Sequence, residues 1–170
     1  FLGYGGPEVV PFPAATCISI DDEVVHGIPS DDRILEDGMI VSVDVGAYLA
    51  GFHSDAARTY MIGDVPPRVR ELVEVTEEAF WKGLEQAKPG NRIGDISSAV
   101  QEHCESHGFG IIRVLTGHGV GRELHESPNL PNYGRRGRGL RLQSGMTLAL
   151  EPMVTLGSHN VVLTSNDWTF

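Results

Sequence analysis

The sequence predicts an α+β fold in which helices cover one face of a largely antiparallel sheet. Three observations carry this. Residues 39–48 alternate polar and apolar side chains and are answered, after a glycine turn, by a returning segment at 52–62. Residues 64–88 and 93–107 place apolar residues at helical spacing. Strands then resume at 110–116 and 146–151, so the two helices are bracketed by strands instead of alternating with them. The 21 glycines and 10 prolines among 170 residues suit many tight turns. A chain this long is enough for one domain, burying roughly 70% of its surface on folding.

Taken in order, residues 1–19 are rich in Gly and Pro and read as loop leading into a short strand at Cys17–Ile20. Val24–Ile28 is a second short apolar piece closed by Pro29, and 31–38 is a polar turn. In the strand pair, Ile40, Ser42 and Asp44 share one face and Val41, Val43 and Val45 the other, with the turn near Leu49-Ala50-Gly51. The first helix has Pro66 and Pro67 in its first turn, an inward set of Val69, Leu72, Val73, Thr76, Phe80 and Leu84, and a stop at Pro89-Gly90. The second turns Ile96, Val100 and Cys104 inward and stops at Gly108. Gly117-His118-Gly119-Val120-Gly121 reads as a loop, 122–143 as irregular, and Val161–Thr164 as the start of another strand.

Composition narrows the function. A net charge of −10 argues against nucleic acid as the main ligand. The basic run Arg135-Arg136-Gly137-Arg138 with Arg141 reads as a solvated loop. No run of about 18 apolar residues spans a membrane. Two cysteines, Cys17 and Cys104, are too few for a disulfide framework and suit a reducing cytoplasm. The chain begins at Phe1 without Met and stops at Phe170 in mid-pattern, so both ends read as cut.

Several acidic and histidine residues stand where surface charge is not expected. If the hairpin turns at Leu49-Ala50, Asp44 faces Asp55 directly, with Cβ atoms roughly 5 Å apart. Two buried carboxylates so placed repel unless one takes up a proton or a cation lies between them. The competing reading is a pair of solvated aspartates on an open sheet face. His118 lies between glycines, where backbone approaches a ligand closely; the segment has neither the Lys-Ser/Thr of a phosphate loop nor a dinucleotide fingerprint. Glu151 follows Met146-Thr-Leu-Ala-Leu and precedes Pro152, so it is buried and needs a partner, a metal or a salt bridge. His125 and His26 read either as site residues or as core histidines. No His-Glu-x-x-His helix occurs, which excludes the common single-zinc protease pattern.

Together these residues resemble a family. Asp44, then Asp55 within Gly-Phe-His-Ser-Asp, then Thr-Gly-His-Gly-Val-Gly-Arg-Glu-Leu-His-Glu, then Glu-Pro-Met is similar to the methionine aminopeptidases, a branch of peptidase family M24. Cys-Ile-Ser-Ile-Asp-Asp-Glu-Val-Val-His-Gly-Ile-Pro at 17–29 resembles their type I subclass. The match runs in order over essentially the whole chain. It implies the pita-bread fold, two similar αβ halves around a central metal site, in a single catalytic domain over 1–170. The family's N-terminal helical segment and C-terminal strand are then absent. It implies two divalent ions (Co, Mn, Fe or Zn) held by Asp44, Asp55, His118 and Glu151, with Asp55 bridging and a fifth ligand, a Glu, expected about a dozen residues beyond Trp168.

The implied reaction is removal of the N-terminal methionine from nascent polypeptides with a small second residue, by cytoplasmic monomers working at the ribosome. Water activated by the ions attacks the carbonyl after that methionine. Glu151 doubles as general base, and His26 and His125 contact the substrate amide and its oxyanion. Tyr4, Phe12, Cys17 and Trp168 are the implied methionine slot, although the loop Gly3–Pro13 is longer here than in the family pattern; for these residues the plain alternative is ordinary core. Two rivals stand beside this reading: an Xaa-Pro-cleaving enzyme of the same fold, and a non-catalytic binding module that has lost its metal.

Overall fold

The computed structural model describes residues 1–7 and 9–170; Glu8, in the loop just named, lies outside the described residues. The element order is β1 (Thr16–Ile20), β2 (Ile40–Leu49), β3 (Phe52–Met61), α1 (Pro67–Gln86), α2 (Ile93–Ser106), β4 (Gly110–Ile111), β5 (Gly117–Gly119), β6 (Glu126–Leu130), β7 (Leu148–Ala149) and β8 (Val154–Thr155). The strands form three antiparallel sheets, ordered β1-β2-β3, β4-β8 and β6-β5-β7.

The β2–β3 hairpin corrects the expected register. Its turn residues are Ala50 and Gly51, both with positive φ (51° and 86°), and Leu49 pairs with Phe52. A two-residue turn with positive φ at both central positions matches the twist of the strands, and Gly at the second position carries it without strain. A turn centred one residue earlier would put Leu49 in that conformation. Asp44 therefore pairs with Ala57, and Asp55 with Gly46. The shift is two residues, so both carboxylates keep the same face but stand diagonally, roughly 7–8 Å apart at the backbone. On the other side of β2, Cys17 pairs with Asp44.

The helices pack across a stripe of small residues. The buried positions of α1 are Val75, Ala79 and Gly83, four apart. They meet Val100 and Cys104 of α2 in a cluster that also holds Phe109 and Ile111. A methyl group on Gly83 would come within 2.9 Å of Val100 and 3.3 Å of Ile96, so the close helix approach requires glycine there. The expected inward set was turned too far round: Leu84 is 44% exposed, while Leu72 packs only at the margin of the cluster. In α2 the inward set Ile96, Val100 and Cys104 is fully buried. A second cluster joins Ile93 and Ile96 to Leu130 and Leu142. It seats the β6-β5-β7 sheet against α2.

Other segments depart from expectation. Gly117–Gly119 is a strand, and residues 126–130 within the expected irregular stretch form the strand beside it. The glycines serve sheet packing: a Cβ on Gly117 would stand 2.2 Å from the Ala149 carbonyl oxygen, and one on Gly119 would stand 2.5 Å from that of Ser127. The strand expected at 110–116 is confined to Gly110–Ile111, and that at 146–151 to Leu148–Ala149. Val161–Thr164 forms no strand. No helix among the described residues is long and apolar enough to cross a membrane.

Candidate metal centre

His118 is the middle residue of β5 and pairs with Ala149, which brings Glu151, two residues beyond, alongside it. The β2–β3 hairpin reaches the same place because the His53 N–H donates to the Gly121 carbonyl at 2.6 Å. That bond ties β3 to the segment leaving β5. As a result His118 Nε2 lies 3.0 Å from Glu151 Oε1 and 3.5 Å from Asp55 Oδ2. Ligand atoms of Asp55, His118 and Glu151 all fall within 4.8 Å of one another.

The protonation pattern shows what belongs between them. His118 Nδ1 is 2.8 Å from the Gly119 carbonyl oxygen, so Nδ1 carries a proton and, in the neutral ring, Nε2 presents its lone pair. That lone pair faces two carboxylates. Nε2 and Oε1 are close but not aligned as a hydrogen bond. His118 Nε2, Glu151 Oε1 and Asp44 Oδ1 are all buried without a hydrogen-bond partner. Two converging buried atoms without a hydrogen-bond partner, and a third on the neighbouring Asp44, fit a cation.

Shifts in acidity show that the surrounding carboxylates favour positive charge here, whether proton or metal ion. Burial, then the charges of Asp55 and Glu151, push the Asp44 carboxyl up to about 7. For His118, burial favours the neutral ring, but Glu151, the Gly119 carbonyl and Asp55 outweigh it and raise the pKa. Asp44 thus stands beside the centre, not inside the tight group of three. Carboxylates with a single imidazole are the donor set of a hard or borderline divalent ion.

An aromatic wall adjoins this centre. The His125 ring lies 4.0 Å from that of His118, and its Nδ1 is 2.6 Å from the Tyr4 hydroxyl. Trp168 stands edge-on to Phe12 (5.2 Å between centroids) and to His26 (6.1 Å). Its indole N–H is fixed by the Val10 carbonyl at 2.9 Å. Phe12 and Cys17 are buried, whereas Tyr4 is 40% exposed. Burial, with Asp44 next, pushes the Cys17 thiol up to about 12, so it is a neutral wall group. Burial lowers the pKa of both His26 and His125, the latter helped by the neighbouring His118.

The structure also names residues the sequence reading missed. Asn132 is fully buried, and its side-chain amide donates to the Glu151 carbonyl at 2.5 Å. The Thr169 hydroxyl donates to the His26 carbonyl at 3.1 Å and holds that residue at its positive φ of 58°. Neither has a periodic or motif signal; each is legible only once a backbone segment distant in sequence lies beside it. A cavity of about 670 Å³ does occur elsewhere, lined by Asp37, Asp64, Arg70, Glu71 and Glu74, but the converging donors are not part of it.

Fold and centre together define a scaffold of antiparallel sheets that brings two carboxylates and an imidazole together as a candidate metal site. Residues 2–167 match the model of metallopeptidase family M24, and the chain belongs to that family. It is 53% identical to the methionine aminopeptidase of Clostridium acetobutylicum over 99% of this chain and 66% of that protein. It is 47% identical to methionine aminopeptidase 1 of Bacillus subtilis, with the same coverage of 99% and 66%. Among solved structures, the methionine aminopeptidase of Thermotoga maritima superposes with a TM-score of 0.92 at 51% identity, over 94% of this chain and 64% of that one. The prolidase of Pyrococcus horikoshii gives 0.71 at 30%, over 86% and 46%. The fold is the pita-bread fold that these enzymes share. The chain spans just under two thirds of the length of these methionine aminopeptidases.

Proposed function

We propose that the protein containing this chain removes the N-terminal methionine from polypeptides by metal-dependent hydrolysis. The observation that carries the reading is the convergence of Asp55, His118 and Glu151, with His118 Nε2 facing two carboxylates. Asp44 completes the donor set, with its buried orphan oxygen on the same sheet face. Two divalent ions (Co, Mn, Fe or Zn) would be held by Asp44, Asp55, His118 and Glu151. The full ligand set then includes a further Glu, and the complete domain an N-terminal helical segment and a C-terminal strand, beyond these 170 residues. Such ions supply Lewis-acid polarisation and a nucleophile available at neutral pH.

The chain's own residues do the rest. Glu151 accepts the proton of the attacking water and returns it to the leaving amine. His26 and His125 donate to the scissile amide oxygen as negative charge develops on it. Trp168, Phe12, Cys17 and Tyr4 enclose the methionine side chain, and crowding at the mouth favours a small second residue. The greater similarity to methionine aminopeptidases than to prolidase supports this substrate over Xaa-Pro peptides. We place this work in the cytoplasm, on nascent chains at the ribosome, by a monomer; the two buried free cysteines bear only on the first, suiting a reducing compartment. The deciding experiment compares cleavage of a Met-Ala peptide and an Ala-Pro peptide by the full-length, metal-loaded gene product. Preference for Met-Ala is expected; preference for Ala-Pro would transfer the assignment to the prolidase branch.

A further inference from the structure

We infer that Tyr4 is a positioning residue for His125: its hydroxyl donates to His125 Nδ1 and so fixes the imidazole tautomer that carries its proton on Nε2. This rests on the reading that His125 donates to the substrate amide. An imidazole can give a hydrogen bond to a carbonyl oxygen only from a protonated nitrogen, and the neutral ring has one. The 2.6 Å contact between Tyr4 Oη and Nδ1 decides which.

A phenol is a stronger hydrogen-bond donor than a neutral imidazole N–H, so the Tyr4 proton lies toward Nδ1. Nε2 then keeps the ring proton and is the donor. The opposite tautomer would present a lone pair at Nε2, repelling the carbonyl oxygen it is meant to stabilise.

Tyr4 is held firmly enough to do this, although its ring is partly exposed. The Gly3 N–H donates to the Phe12 carbonyl at 2.9 Å, and the Phe12 N–H donates to the Tyr4 carbonyl at 2.7 Å. Phe12 is itself buried and packed edge-on against Trp168. The backbone of Tyr4 is thus clamped to a core residue. At the other end, His125 is exposed and its ring lies against that of His118, with 4.0 Å between centroids. A residue serving only as an apolar wall would need a ring and no hydroxyl.

The test uses the full-length gene product and the variant Tyr4→Phe, which keeps the ring. Long-range proton–nitrogen correlation spectra of histidine-labelled protein, with His125 assigned from His125→Gln, report the tautomer without any turnover. The wild type is expected to show His125 protonated at Nε2 with a bare Nδ1, and Tyr4→Phe to move both nitrogen shifts toward a tautomeric mixture. A wild-type His125 protonated at Nδ1, or spectra identical in the two proteins, overturns the inference. With a Met-Ala peptide, kcat is expected to fall about five- to tenfold in Tyr4→Phe with KM changed less than about twofold, the scale of one neutral hydrogen bond. A raised KM with unchanged kcat makes Tyr4 a pocket wall and overturns the role. In a His125→Ala background, Tyr4→Phe is expected to have no further effect; an undiminished fall there shows that Tyr4 does not act through His125. Should the peptide not be cleaved at all, the spectra still decide the tautomer.

Discussion

At the scale of single residues, His118 is an imidazole whose outer nitrogen is spent on the Gly119 carbonyl and whose inner nitrogen faces two carboxylates. Removing one of those carboxylates should empty the centre. Asp55→Ala is expected to abolish binding of a divalent ion in a calorimetric titration, and an unchanged titration would refute the ligand assignment. Asp44 gives a second prediction through its raised pKa. In the metal-free protein its folded-state carboxyl titrates near 7, while in the unfolded chain it titrates near the ordinary value of about 4. Between those values the folded state holds the proton and the unfolded state does not. Stability contributed by Asp44 is therefore greatest at low pH and falls as pH rises from about 4 to 7. Melting of the metal-free protein at pH 5 and pH 7.5 should show this decline, and Asp44→Asn should flatten it while weakening metal binding. An Asp44→Asn protein with the full decline would mean that another group is responsible.

At the scale of elements, periodicity revealed the hairpin and both helices, missed the strands β5 and β6, and did not reveal how closely the elements pack. The inward face of α2 was legible because its apolar residues are large and regularly spaced. That of α1 was not, because the contact runs along Val75, Ala79 and Gly83, whose small side chains carry little hydrophobic signal. The hairpin was legible, but its register turned on which residue accepts positive φ, and a two-residue error there moves Asp55 from Asp44's opposite number to its diagonal neighbour. His118 was found from its glycine setting, but the glycines were read as loop when they permit strand contact. That contact gives a third prediction. A Cβ on Gly117 meets the Ala149 carbonyl at 2.2 Å, so Gly117→Ala must push β7 away from β5 and with it Glu151 from His118. A loss of about 1–3 kcal/mol in stability is expected from overpacking, together with weaker metal binding. Gly157→Ala, where nothing lies within 4 Å of the new methyl group, is the control and should be within about 0.5 kcal/mol of wild type. Equal behaviour of the two variants in denaturant melts would show that strand proximity is not what glycine provides.

At the scale of the whole molecule, the candidate ligands come from separate sheets. Asp44 and Asp55 lie in β1-β2-β3, while His118 lies in β6-β5-β7 and Glu151 just beyond its last strand. The His53–Gly121 backbone bond is one direct tie between them, and the centre itself adds unsatisfied acceptors from both sides. Ligands from both sheets would share an ion bound there, which would offset the repulsion between the carboxylates of one sheet and link the two sheets. Since the unfolded chain does not assemble these donors, binding must appear as folding stability. At free metal one hundred times the dissociation constant, linkage predicts about 2.7 kcal/mol. For a protein of this size that corresponds to a rise of about 5–10 °C in melting temperature. The rise should vanish in Asp55→Ala and in His118→Ala alike, although these residues belong to different sheets. If either variant kept the full rise, the ion would be stabilising the fold from a site outside this centre, and the two sheets would be joined by packing alone.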